Sequence, residues 1–126
     1  MQAATLTSTT PAEAAEPVQL VNIDTLAKTT AHKFGVNETH FDMVMEAESQ
    51  GNITAVGDHG QAYSLMQFHL DTFDWLKSLA IKKGEPFQNL SYTNPQDQLT
   101  LGAWAFANGY ADEWSTYRKF VKDGWQ

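Results

Sequence analysis

The stretch from Pro95 to Ala107 constrains this chain most. After Gln98 it is apolar on nearly every side, with Leu99, Leu101, Trp104 and Phe106 spread around the helical turn. Such a helix has no face to give to water, so other elements must enclose it. Its limits are marked by Asn94-Pro95, an N-cap followed by proline at the first helical position, and by Asn108-Gly109 at the end. A chain of 126 residues has room for one domain with a modest core. The expected fold class is mainly α, with about five helices around this buried central one.

Residues 1–20 are rich in Ala, Thr, Glu and Pro, with neither a basic start nor a solid apolar block. They are expected to be a flexible leader or linker and not an intact signal peptide; the folded domain is expected over 21–126. Ile23, Leu26, Ala27, Thr30, Ala31 and Phe34 keep helical spacing up to Gly35. Asn37 offers the next N-cap, with Glu38 well placed against the helix dipole. Between Gln50 and Tyr63, the residues Gly51, Asn52, Gly57, Asp58 and Gly60 make a turn-rich loop with room for a small hairpin. Tyr63 to His69 is short and apolar apart from Ser64 and Gln67, and a buried Gln67 needs either backbone partners or a polar site. Asp71 is expected to cap a helix carrying Phe73, Leu76, Leu79 and Ala80 that stops at Gly84. A last helix is expected from about Asp112, packing through Trp114, Tyr117 and Val121.

One acid stands apart. Phe41, Val44, Met45 and Glu48 fall at i, i+3, i+4 and i+7, one face of a helix, whereas Asp42 and Glu46 project elsewhere. A carboxyl turned toward apolar walls loses solvation of its charged form, so its pKa rises and it can donate a proton near neutral pH. The same spacing also fits the frayed last turn of an ordinary helix. Asp58, ten residues on, is a candidate second carboxylate or simply a turn residue beside Gly57.

Composition excludes several classes. A net charge of −7 argues against nucleic acid as the main partner, and it gives no help in approaching anionic polymers. No apolar run is long enough to span a bilayer. There is no cysteine, so neither a disulfide scaffold nor Cys-ligated zinc is available. His32, His40, His59 and His69 lack zinc-motif spacing, and neither a metal nor another cofactor is expected. Trp75, Trp104, Trp114, Trp125 and the tyrosines could stack on a ring-shaped ligand, but most are better explained as core; Tyr63, beside the Gly-rich loop, is the best candidate for such a contact.

Set in line, Glu48-Ser49-x-x-Asn52-x-x-Ala55-Val56 and then Gly60-x-Ala62-x-Ser64-Leu65-Met66-Gln67-Phe68 form a pattern. It resembles the lytic transglycosylase SLT domain of the lysozyme-like superfamily, close to goose-type lysozymes. Asn94-Pro95-x-x-Gln98 with its apolar helix is similar to the family's Asn-Pro helix, and the resemblance spans about residues 23 to 120. It implies an α+β lysozyme-like fold and cleavage of peptidoglycan between N-acetylmuramic acid and N-acetylglucosamine. Glu48 matches the catalytic acid/base, Ser49 the residue supporting it, and Gln67 the cleft glutamine. Ser64 replaces the family's second glycine, where backbone approaches the sugar. The family's Ala-Tyr-Asn-Ala-Gly segment is not recognisable, and Tyr117 is the residue present to stand in for its tyrosine.

The expected protein is thus a monomeric lytic transglycosylase or muramidase with peptidoglycan strands as its partner. Ser49, Tyr63, Ser64, Gln67 and Tyr117 are its candidate substrate contacts. The substrate implies an extracytoplasmic protein, whether secreted, periplasmic or at the cell surface, with its export segment outside this sequence. The alternative is a non-catalytic peptidoglycan-binding or wall-anchoring module that kept the fold.

Overall fold

The computed structural model describes residues 22–122, so the expected leader over 1–20 and Trp125 lie outside the described residues. Two helices open the fold: α1 (Ile23–Lys33) and α2 (Glu38–Ser49). Each starts on an asparagine: Asn22 Oδ1 accepts from Thr25 N at 3.0 Å, and Asn37 Oδ1 accepts from His40 N at 2.9 Å. Gly35, at φ 73°, ends α1. Its N–H and that of Val36 close back on the carbonyls of His32 and Ala31, a pair of bonds that needs a left-handed residue between them.

Where α1 meets α2, the carboxyls of Asp24, Asp42 and Glu46 have oxygen atoms within 4.8 Å of one another. Burial, with Asp24 beside it, pushes Asp42 up to about 6 against the pull of Lys28. A hydrogen bond shared with Asp24, together with burial, pushes Glu46 up to about 7.

A small antiparallel sheet follows, in the order β1 (Val56–Gly57), β2 (Ala62–Tyr63) and β3 (Phe68–His69). Val56 pairs with Tyr63 and Gly57 with Ala62; Ala62 then pairs with His69 and Tyr63 with Phe68. The expected hairpin is thus present, and a third strand drawn from the Gln67 segment extends it. With no intervening loop, β3 runs straight into α3 (Leu70–Lys82). The N-cap is consequently His69 and not Asp71, which lies inside the first turn, and no side chain caps this end.

The central helix is α4 (Pro95–Ala107), in which every residue from Gln98 to Ala105 except Thr100 is buried. Around it pack Ala27 and Ala31 of α1, Phe41, Val44 and Met45 of α2, and Phe73, Leu76 and Ala80 of α3. Gly102 permits the closest approach, since a Cβ there would stand 3.2 Å from Met66 Cγ and Cε. The last segment is not one helix. A 3-10 turn (Ala111–Glu113) leads to Trp114 in extended conformation, and only then come the short α5 (Ser115–Tyr117) and a π-type turn (Arg118–Lys122). Trp114 breaks the run because its ring is buried and its indole N–H donates to Met66 O at 2.9 Å.

That bond is half of a clamp. On its other side the Met66 N–H donates to Oε1 of the fully buried Gln98, at 3.1 Å. Gln98 Nε2 donates in turn to Tyr92 O at 2.8 Å. The loop between β2 and β3 is therefore held to α4 and to Trp114 through the backbone of one residue, Met66, next to Gln67 in the chain. No described helix is long and apolar enough to cross a membrane.

Candidate active site

The end of α2 is built to hold a side chain still. Gln50 takes a left-handed conformation (φ 56°) and its N–H returns to Glu46 O at 2.9 Å. The buried Ser49 hydroxyl lies 3.2 Å from Met45 O and accepts from the Gly51 N–H at 3.2 Å. Phe41, Val44, Met45 and Ser49 form the buried face, and Glu48 lies half-buried at its border. Its carboxylate opens into a cleft of about 310 Å³ whose other walls include Asp58, Gln67, Phe68, His69 and Trp114.

Burial raises the Glu48 carboxyl above its ordinary value, while a hydrogen bond from Thr116 works against that rise. Thr116 Oγ1 donates to Glu48 Oε2 at 2.7 Å. The bond fixes one carboxylate oxygen. A half-buried acid with a raised pKa and a defined rotamer is suited to delivering a proton to an oxygen bound beside it.

Gln67 answers both sequence-based alternatives. Its Nε2 donates to Ala55 O at 3.0 Å and to Ser64 O at 2.9 Å, while the residue also lines the cleft. The amide lies against Gly57, where a Cβ would come within 2.5 Å of Gln67 Oε1, so any larger residue there must displace the glutamine. Asp58 too reaches the cleft. It is a turn residue at φ 52°, followed by His59 at φ 57°, and its Oδ2 stands 2.6 Å from His69 Nε2. Two consecutive non-glycine residues in the left-handed region cost about 1–2 kcal/mol each.

The remaining candidates lie elsewhere. Ser49 is buried behind Glu48 and holds the turn. Strand alternation sends Tyr63 to the face opposite cleft-lining Ala62, where its ring packs on Tyr92 at 5.8 Å. Tyr117 packs edge-to-face on Phe106 at 5.3 Å and borders a separate hollow with Asp112 and Lys122. Ser64 is completely buried, so its side chain offers nothing to a strand bound at the surface. Its backbone is left-handed (φ 68°), and its hydroxyl finds no hydrogen-bond partner among the described residues. Ser64→Gly removes both the strain and the unsatisfied hydroxyl. It is expected to raise stability by about 1 kcal/mol with kinetics unchanged, as measured by denaturant melts and cleavage assays.

Several cleft residues were not singled out from sequence: Phe68, His69, Thr72, Glu113, Trp114 and Ser115, with Thr116 bonded to Glu48. Trp114 is both core and cleft wall, and Trp75 is 45% exposed, edge-on to Tyr110. The three carboxyls between α1 and α2 are the one such group among the described residues with ligand atoms close enough to share a cation. Burial and the neighbouring Asp24 raise two of them, Asp42 and Glu46, toward the protonated form.

A family model described as the transglycosylase SLT domain matches residues 25–118. The match spans α1 through α5 and takes in Glu48, Gln67 and Thr116. No curated protein and no solved structure matches the chain.

Proposed function

The chain belongs to the transglycosylase SLT domain family, whose activity is lytic transglycosylase-type cleavage of peptidoglycan, and from that premise we propose that Glu48 performs the cleavage here as a single acid/base. Protonated Glu48 gives its proton to the glycosidic oxygen as the bond from that oxygen to muramic C1 breaks. The resulting carboxylate then takes a proton from the muramic 6-hydroxyl as that oxygen closes on C1, leaving a 1,6-anhydro end. The observation that carries this reading is the state of Glu48: half-buried, raised in pKa, and oriented by Thr116 inside the cleft. Gln67, fixed by two carbonyls, forms part of the cleft wall against which the strand would lie.

Action on peptidoglycan places the working protein outside the cytoplasm. A second reading, hydrolysis as a muramidase, is favoured by Asp58 lining the same cleft, where a carboxylate can activate water. Mass analysis of digested peptidoglycan separates the outcomes. Anhydro ends support the first reading, reducing ends support the second, and neither kind of end supports the non-catalytic module.

Thr116 supplies a sharper check. Its donated hydrogen bond favours the charged form of Glu48, so Thr116→Val is expected to raise the Glu48 pKa further. A general acid works only while protonated, so the alkaline limb of the pH–rate profile should move to higher pH. A limb that stays in place or moves down would remove Glu48 from the proton-donor role.

A further inference from the structure

We propose that His69 is a positioning residue, whose contact with Asp58 fastens the turn between β1 and β2 as a wall of the Glu48 cleft. The two residues flank β2: Asp58 follows β1, His69 ends β3, and their side chains meet across the strand between them at 2.6 Å. The ends differ in rigidity. His69 pairs with Ala62 in the sheet and is also the N-cap residue of the long α3. Asp58 sits in an exposed turn whose strands are only two residues long, and its carbonyl accepts from the Gln61 N–H at 3.2 Å. Both Asp58 and His59 are held in a conformation that non-glycine residues leave when free to do so. The strained turn thus leans on α3 through His69.

What the fastener serves follows from its neighbours. Gly57, immediately before the turn, is the surface against which the Gln67 amide rests, and both Asp58 and Gln67 line the cleft. Release of the turn moves that wall. Glu48 and Thr116 come from α2 and α5 and do not depend on it. Loss of His69 should therefore weaken the hold on the glycan strand more than it slows bond breaking. This inference rests on the strand-cleavage reading, and its test is arranged to separate the two.

The variants are His69→Ala, Asp58→Ala and the double substitution, all in the full chain. In His69→Ala, KM for peptidoglycan strands is expected to rise about tenfold while kcat stays within about threefold, and KM should rise by a similar factor in Asp58→Ala. The double variant should be no worse than either single, because one contact is lost in all three. Hydrogen exchange should speed up at residues 57–63 of His69→Ala and stay unchanged in α2. Unchanged exchange in the turn overturns the fastener, as do additive effects in the double variant. A fall in kcat at constant KM gives Asp58 or His69 a part in the chemistry and overturns the positioning role. A wild-type protein that binds strands but cleaves none overturns the Glu48 reading and the positioning role together, while the exchange result still decides whether the turn is fastened.

Discussion

Glu48→Gln is expected to lower the rate of peptidoglycan cleavage by about 10²–10⁴-fold, the range that a positioned general acid contributes. The amide keeps the shape of the side chain, and its oxygen still accepts from Thr116, but it has no proton to give at comparable acidity. The same substitution should not harm the fold. Because the folded-state pKa of Glu48 is raised, the native protein holds this proton more tightly than the unfolded chain does. As pH rises from the ordinary glutamate value of 4.5 through the raised one, the native state loses stability, and that cost persists above it. At pH 7 the glutamine variant should therefore melt no lower than wild type, and any advantage should shrink toward pH 4. Cleavage at the wild-type rate by a folded variant would exclude Glu48 as the donor. A variant clearly less stable at pH 7 would mean that its surroundings favour the charge.

Gln98→Leu is expected to have the largest effect on stability. The two side chains are similar in size, so little cavity arises and the loss is one of hydrogen bonding. The Met66 N–H and the Tyr92 carbonyl both lose their partner on Gln98. Each group left unsatisfied costs about 1–3 kcal/mol, hence about 2–6 kcal/mol together, a large part of the 5–15 kcal/mol typical of a domain. Denaturant melts measure this directly. Since Met66 adjoins Gln67, cleavage should also weaken at temperatures where the variant is still folded. A change below about 1 kcal/mol would show that the loop finds other partners or water.

The helix limits that were legible in the sequence are those with local causes. Asn37 and Asn94 cap within three residues, and Gly35 and Gly84 each close the helix just before them. The buried nature of α4 was legible for the same reason, since it needs only the composition of one stretch. Glu48 at the edge of the Phe41, Val44 and Met45 face follows from helical period alone.

The cleft's remaining walls come from distant parts of the chain. Thr116 meets Glu48 across 68 positions, and no local spacing announces such a contact. Tyr63 shows the limit of reading by neighbourhood. It adjoins the right loop, but the alternation of a two-residue strand turns it to the other side. Trp114 interrupts its helix through a bond to Met66, 48 positions away, so the helix expected from Asp112 had no local reason to fail. Asp58 is the turn residue that its place beside Gly57 suggested, and it also lies in the cleft, which no local spacing reveals.

Asp42 and Glu46, on the side of α2 that faces Asp24 of α1, make folding a proton-binding reaction. Asp42 at about 6 and Glu46 at about 7 stay largely protonated at pH values where the same side chains in an unfolded chain have ionised. Unfolding near pH 6 therefore releases protons to the buffer, and linkage makes the native state progressively less stable from about pH 4 to about pH 7. Most carboxylates that matter to a fold act the other way, holding it together when ionised and failing in acid. In this protein, mild acid tightens the seam between its first two helices, and the helix that carries Glu48 forms one side of that seam.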